Sequence, residues 1–237
     1  MCFTPQVSIA TAITELIIAS IIFLRFKKSK IAKWVALFIV LLGFYQFTEF
    51  MLCTSENVQL WGRLGFITYS ILPALGLHMT FHYTKQKFNK VLIYLPMAIF
   101  ILIAVFDPGF IISGYCSQFF VSVQHYFALT EHWSATLIYW GYYFGYISLM
   151  LGLLVNEFRN EKNEAKARNH LLILSTIILV IIPPFILVNI FPSLNIAFPS
   201  VYCQFALVYA VVALIAVYLD DQIKENFIRR IINIFKK

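Results

Sequence analysis

Apolar residues gather into seven runs, at roughly Val7–Phe26, Trp34–Leu52, Leu60–His82, Val91–Phe106, Ser134–Asn156, Asn169–Ile190 and Phe198–Leu219. Most reach the ~20 residues that a helix needs to cross a hydrocarbon core about 30 Å thick. The fourth is about 16 residues long, and Asp107 and Pro108 are expected to extend it at the interface. The gaps between runs alternate in character. Arg25, Lys27, Lys28, Lys30 and Lys33 lie at the first; Lys85, Lys87 and Lys90 at the third; Arg159, Lys162, Lys166 and Arg168 at the fifth. Lys224, Arg229, Arg230, Lys236 and Lys237 follow the seventh run, while the second, fourth and sixth gaps hold no Lys or Arg. Thus 17 of the 18 basic residues fall on one side, and the positive-inside rule makes that side cytoplasmic. The pattern predicts an all-α integral membrane protein: a seven-transmembrane-helix bundle with its N-terminus outside and its C-terminus inside. Residues 1–219 form one membrane domain, and residues 220–237 a basic amphipathic cytoplasmic tail.

Composition agrees with that reading. A hydrophobic share of 61% and a charged share of 12% do not suit a soluble domain of 237 residues. The net charge of +7 would suggest nucleic acid in a soluble protein. Here cytoplasmic loops lying near anionic lipid account for it, so the lipid bilayer is the expected partner and nucleic acid is not. The first run has no cationic segment before it and a basic cluster after it, which reads as a retained helix rather than a signal peptide.

Cys2, Cys53, Cys116 and Cys203 all fall on the outward, oxidising side of this topology. Three pairings are possible, of which Cys53 with Cys116 joins two extracytoplasmic loops. The alternative is a set of small buried thiols.

Most connections are short, so helices two and three, and three and four, are expected to be antiparallel neighbours. The inner loop Glu157–Arg168 is rich in helix formers and should extend helices five and six as charged stubs. The outer gap Asp107–Trp133 is long, nearly uncharged and aromatic, with Phe110, Tyr115, Phe119, Phe120, Tyr126 and Phe127. Its stretch Gln118–Thr130 suits a short β-hairpin lying over the bundle. Loops of this length usually serve as lids or binding elements. Trp34, Trp61 and Trp133 fall at helix ends, where the headgroup layer favours them. Pro73, Pro183 and Pro184 interrupt helices three and six as hinges or static kinks. The tail from Asp220 to Lys237 reads as a continuation of helix seven or as an amphipathic helix on the inner leaflet.

Ionisable groups at membrane depth are costly, which makes each a functional candidate. Glu15 lies near the middle of helix one, as a neutral acid or bonded to Thr11, Thr14 or groups across the bundle. Glu49 lies near the outer end of helix two, and Arg63, the basic residue off the cytoplasmic side, near that of helix three. An ion pair between them would clamp the hairpin; they could instead line an outward-facing pocket, or snorkel to the headgroups. Gln46, Thr48, Asn189 and Gln204 are further candidates for a polar network, as structural glue or as ligand contacts. His78 and His82, spaced i, i+4, share one face as a metal pair would, but no third ligand is near in sequence. Interfacial histidines at a helix end explain them better, and no metal or cofactor is expected. The seventh run contains no lysine, which excludes a retinal Schiff base there. Phosphate loops, nucleophile elbows and Cys-rich metal motifs are missing too, so the chain does not read as an enzyme.

Four segments carry a resemblance: FTEFMLCTSENVQLW, WGRLGFITYSILPALGLHMTFHYT, ARNHLLILSTIILVIIPPFILVNIF, and the run from Phe191 through Tyr218. Across roughly Trp34–Leu219 the chain resembles the seven-helix N-terminal sensor region of bacterial membrane histidine kinases and related diguanylate cyclases. The resemblance implies a plasma-membrane sensor of signal transduction in the bacterial inner membrane. It would bind a small ligand in its outer half, with Glu49, Arg63, Asn189 and the long outer loop, including Tyr126, near the pocket. Members of that family continue into output domains. This sequence ends after a short basic tail, so signalling would need a separate cytoplasmic or membrane partner. The alternatives are a small-molecule transporter, for which no internal repeat is evident, and a membrane scaffold.

Overall fold

The apolar runs form helices that begin and end a few residues outside the hydrophobic stretches. The structure, a computed structural model, describes residues 5–26, 29–116, 121–128, 133–190 and 205–222. Its helices are α1 (Pro5–Arg25), α2 (Lys30–Thr54), α3 (Val58–Thr84), α4 (Lys90–Phe106), α5 (Trp133–Asn160), α6 (Glu164–Ile190) and α7 (Phe205–Gln222). Six of the seven are long and apolar enough to cross a membrane; α4, at 17 residues, is the short one. Large apolar side chains such as Phe106, Leu92 and Val91 point outward and stay exposed. A soluble protein would not leave so much greasy surface in water. These are the helices of a multi-pass membrane protein.

Polar caps set where the helices start. The side chains of Ser29, Asn57 and Asn89 accept bonds from the first-turn amides of Ala32, Leu60 and Val91. Asn163 does the same for Ala165 and Lys166, so α5 and α6 both run into the charged connection and break at 161–163. At the end of α3, Lys85 takes a left-handed conformation (φ 56°) and its N–H returns to the Phe81 carbonyl. Asp107 does not extend α4. It caps the helix in extended conformation, with its N–H on the Ile103 carbonyl and its carboxylate accepting from Gly109.

The prolines do not break their helices; α3 and α6 run through Pro73 and Pro183. In α4, Pro96 has no N–H for the Leu92 carbonyl, and the Tyr146 hydroxyl of α5 donates to it instead at 2.7 Å. Tyr142 likewise donates to the Ser70 carbonyl of α3 at 2.6 Å, just ahead of Pro73. Tyrosines of α5 thus satisfy polar backbone in two neighbouring helices.

Helix α3 is the hub, buried along most of its length and packed on α2, α4 and α5. Three apolar clusters surround it or flank it. Ile18, Ile22, Ile39 and Val217 join α1, α2 and α7. Leu77, Ile93 and Met150 join α3, α4 and α5. The third is aromatic, with Phe66, Phe100, Phe110, Phe127, Tyr139 and Tyr142.

Between α4 and α5 an antiparallel hairpin pairs β1 (Ile111–Cys116) with β2 (Val121–His125), with a register shift between Ile111 and Ser113. The hairpin begins earlier than the aromatic stretch Gln118–Thr130 suggested, because Ile111 and Phe110 supply the buried residues that seat it. Gly114 brings it close to α3: a Cβ there would lie 2.7 Å from Val58 Cγ1. The two bundle ends differ in charge. Phe26, Trp34, His78, Tyr83, Asn169, Ala216 and Tyr218 meet at the end where the basic gaps lie. The hairpin closes the other.

Candidate functional site

Arg63 and Glu49, the charged residues near the hairpin end, do not form the expected clamp. The Arg63 guanidinium donates to the carbonyls of Ala104 (2.7 Å), Val105 (3.3 Å) and Pro108 (2.8 Å). The Ala104 and Val105 carbonyls are in the last turn of α4, where the helix leaves them without partners and its dipole is negative, and Pro108 follows the Asp107 cap. A forked cation satisfies several of them together, which one carboxylate on α2 does not offer. Arg63 is therefore a helix cap. Gln59 adds a 2.6 Å bond to the Ile111 carbonyl, and a disulfide joins Cys53 at the end of α2 to Cys116 at the end of β1, with Cα atoms 5.2 Å apart. Cys2 and Cys203 lie outside the described residues.

Beneath the hairpin there is little free space, about 20 Å³. His125 occupies the centre of the aromatic cluster, its ring stacked on Phe110 (5.6 Å, 10°) and its Nε2 2.8 Å from the Tyr69 hydroxyl. Burial pushes its pKa down to about 3, so the ring is neutral near pH 7. Tyr126 follows in a short 3-10 turn, half-buried, with its N–H on the Phe110 carbonyl. It packs on the cluster rather than lining a pocket. No feature of the sequence singled out His125; one histidine in a long aromatic gap carries no spacing signal.

The open space lies deeper. A cavity of about 160 Å³ sits at mid-bundle between α2, α3, α5, α6 and α7, with Tyr45, Gln46, Tyr69, Pro73, Tyr143 and Tyr209 in an otherwise apolar wall. A second, of about 60 Å³, lies towards the basic end and shares Met79, Thr80, Ile173 and Tyr209 with it. Of the sequence candidates, Gln46 lines the larger cavity directly. Glu49 is reached through Tyr45, whose hydroxyl donates to Glu49 Oε1 at 3.0 Å.

Glu15 is fully buried on α1 against Gly43 of α2, and neither carboxyl oxygen has a hydrogen-bond partner. Thr14 does not serve it, since its hydroxyl bonds the Ala10 carbonyl of its own helix. Glu15 on α1 and Glu49 on α2 are both buried carboxyls. Thr48 caps back onto the Tyr45 carbonyl and contributes packing. Asn189 is placed on α6 by its backbone alone, and Gln204 lies outside the described residues, as does the tail beyond Gln222.

At the basic end His78 and His82 stack on one another (4.8 Å, 20°) and on Trp34. His78 Nδ1 is bonded to the Tyr94 hydroxyl. Stacked rings do not converge on an ion, so the i, i+4 pair belongs to an aromatic box with Phe88. No protein-family model matches the chain, and no curated protein matches it in sequence.

Proposed function

We propose that the chain is a receptor-like seven-span membrane protein that binds a small, mainly apolar molecule in its mid-bundle cavity. The cavity itself carries the reading. Its volume of about 160 Å³ is similar to that of engineered apolar cavities, on the order of 150 Å³, that take up benzene. Tyrosine hydroxyls and Gln46 give the wall a few hydrogen-bonding points, the usual composition of a ligand site. The ligand lies at mid-depth rather than in the outer corner, because Arg63 and the hairpin fill that corner with structural contacts. Tyr45 links the cavity to Glu49, so a ligand that engages the Tyr45 hydroxyl would perturb that buried carboxyl.

In this reading α4 is the fourth of seven spans, the basic end faces the cytoplasm of a bacterial inner membrane, and the disulfide faces outward. Segregation of the basic gaps to one end supports the orientation, and a disulfide suits the oxidising side. Occupancy would shift α6 and α7, which wall the cavity, and be read by a separate cytoplasmic partner. Such a shift needs two states with different ligand affinity.

The test is a thermal-shift screen of small aromatic and amphiphilic molecules on the purified full chain. A true ligand stabilises wild type and not Ile177→Phe, which fills the cavity, and its effect weakens in Tyr45→Phe. A screen without hits, or equal stabilisation of Ile177→Phe, rejects the reading. A transporter draws on one observation, the second cavity stacked towards the basic end. It predicts ligand flux in proteoliposomes, which a receptor does not.

A further inference from the structure

The connection between α5 and α6 gathers groups that the mid-bundle cavity does not use. Glu157 lies in the last turn of α5, and Glu161 is the first residue beyond that helix. His170, six residues after the first residue of α6, faces back towards them. Among the described residues, the ligand atoms of Glu157, Glu161 and His170 lie within 4.8 Å of one another. His170 is 5% exposed, and neither ring nitrogen has a hydrogen-bond partner. Its Nε2 lies 3.9 Å from Glu161 Oε2, too far for a hydrogen bond and directed into the carboxylates. A buried imidazole without partners is costly, and here its free nitrogen meets two acids.

We propose that Glu157, Glu161 and His170 form a site for a divalent transition-metal ion of the Zn²⁺ class, tying α5 to α6 at the basic end of the bundle. The donor set of one imidazole and two carboxylates suits Zn²⁺, Mn²⁺ or Fe²⁺ better than the all-oxygen preference of Mg²⁺ and Ca²⁺. The supporting contacts are those a metal ligand needs. Tyr83 packs edge-on against the His170 ring at 5.0 Å. The adjacent Asn169 anchors this turn of α6 to the Tyr83 hydroxyl and to the Ala216 carbonyl of α7. Glu161 Oε1 accepts the Asn163 N–H at 2.9 Å, which orients the carboxylate and leaves Oε2 for the ion.

Metal bonds of about 2.0–2.2 Å require the ligand atoms to draw closer by roughly an ångström, which the partly exposed Glu157 and Glu161 side chains allow. Lys166, whose Nζ is 3.8 Å from Glu161 Oε2, half-occupies the place of the cation and would swing out to solvent. Tyr83, which packs on His170, is part of the wall of the smaller cavity.

The experiment is calorimetric titration of ZnCl₂ into the chelator-treated full chain in detergent, with Co²⁺ absorption as a second readout. The expected result is one ion per chain, with affinity reduced at least about tenfold in Glu157→Gln, Glu161→Gln and His170→Gln. Lys166→Gln should bind as tightly as wild type or more so. Because His170 is buried, the partly exposed Glu157→Gln variant and the visible d–d bands of Co²⁺ keep the test independent of any folding defect at position 170. Absence of stoichiometric binding, unchanged affinity in Glu157→Gln, or Mg²⁺ binding as tightly as Zn²⁺ would each overturn the proposal.

Discussion

The two ends of the bundle are built on different principles. At the hairpin end Arg63 bonds three carbonyls, Gln59 bonds Ile111, His125 Nε2 meets Tyr69 and Cys53 joins Cys116, while His125 Nδ1 stays buried without a hydrogen-bond partner. Aromatic rings fill the remaining volume, leaving about 20 Å³. At the basic end His78 Nε2, the Asn169 carbonyl oxygen and both His170 nitrogens are buried without hydrogen-bond partners. The larger voids lie from mid-bundle towards that end. The contrast separates a part designed to hold its shape from a part that keeps chemistry in reserve. Polar groups left unmatched in a folded interior each cost about 1–3 kcal/mol.

The comparison can be broken from the hairpin side first. Replacing both cysteines by serine should destabilise the protein by about 2–4 kcal/mol, as a disulfide closing a loop of this kind contributes. Thermal unfolding with and without reductant reads the same loss in wild type; no change on reduction would show that the hairpin staple is redundant. Arg63→Met comes next, at about 1.5–3 kcal/mol, because it strips a charged donor from three carbonyls. Hydrogen exchange should speed at the end of α4 and in β1, and protection left intact would mean that water or Asp107 replaces the cap.

His125 gives a pH-dependent version. The unfolded chain takes up a proton below about pH 6.5, whereas the folded hairpin does not until about pH 3. Stability is therefore full above pH 6.5 and falls on acidification at about 1.4 kcal/mol per pH unit between those values. Unfolding midpoints at pH 7.5 and 5.5 should differ in wild type and converge in His125→Gln. A slope that persists in the variant belongs to another group. The smallest effect sits at the basic end. Lys85→Gly should stabilise by roughly 0.5–1 kcal/mol, since a left-handed backbone suits glycine and strains lysine. Denaturant midpoints are sensitive enough to detect it.

The apolar runs made the helices legible because a bilayer demands long unbroken stretches, and Arg63 stood out because seventeen other cations lie elsewhere. What Arg63 touches was not legible. Glu49 is an acid on the neighbouring helix, but the carbonyls of Ala104, Val105 and Pro108 carry no side-chain signal at all. The hairpin was misplaced for a similar reason. Its first strand, IISGYC, is short and interrupted by Gly114, whose value appears only when Val58 is seen beside it. The cavity was invisible too, since empty space is a property of how helices tilt and not of any one of them. Gln46 could be named as polar in a greasy run, yet only packing shows that it borders a void while Glu15 does not.

Helix α4 has a consequence for the lipid around it. Its 17 residues give about 26 Å of rise, against a hydrocarbon core of about 30 Å. It cannot slide to compensate, because Arg63 fixes one end and the Tyr146 and His78 bonds to Leu92 and Tyr94 fix the other. If α4 is the span proposed above, the bilayer must yield instead, thinning along the flank where Val91 and Phe106 face outward. The protein would then carry a preference for thin membranes on one side of its body, and acyl-chain length would be a variable that its stability follows.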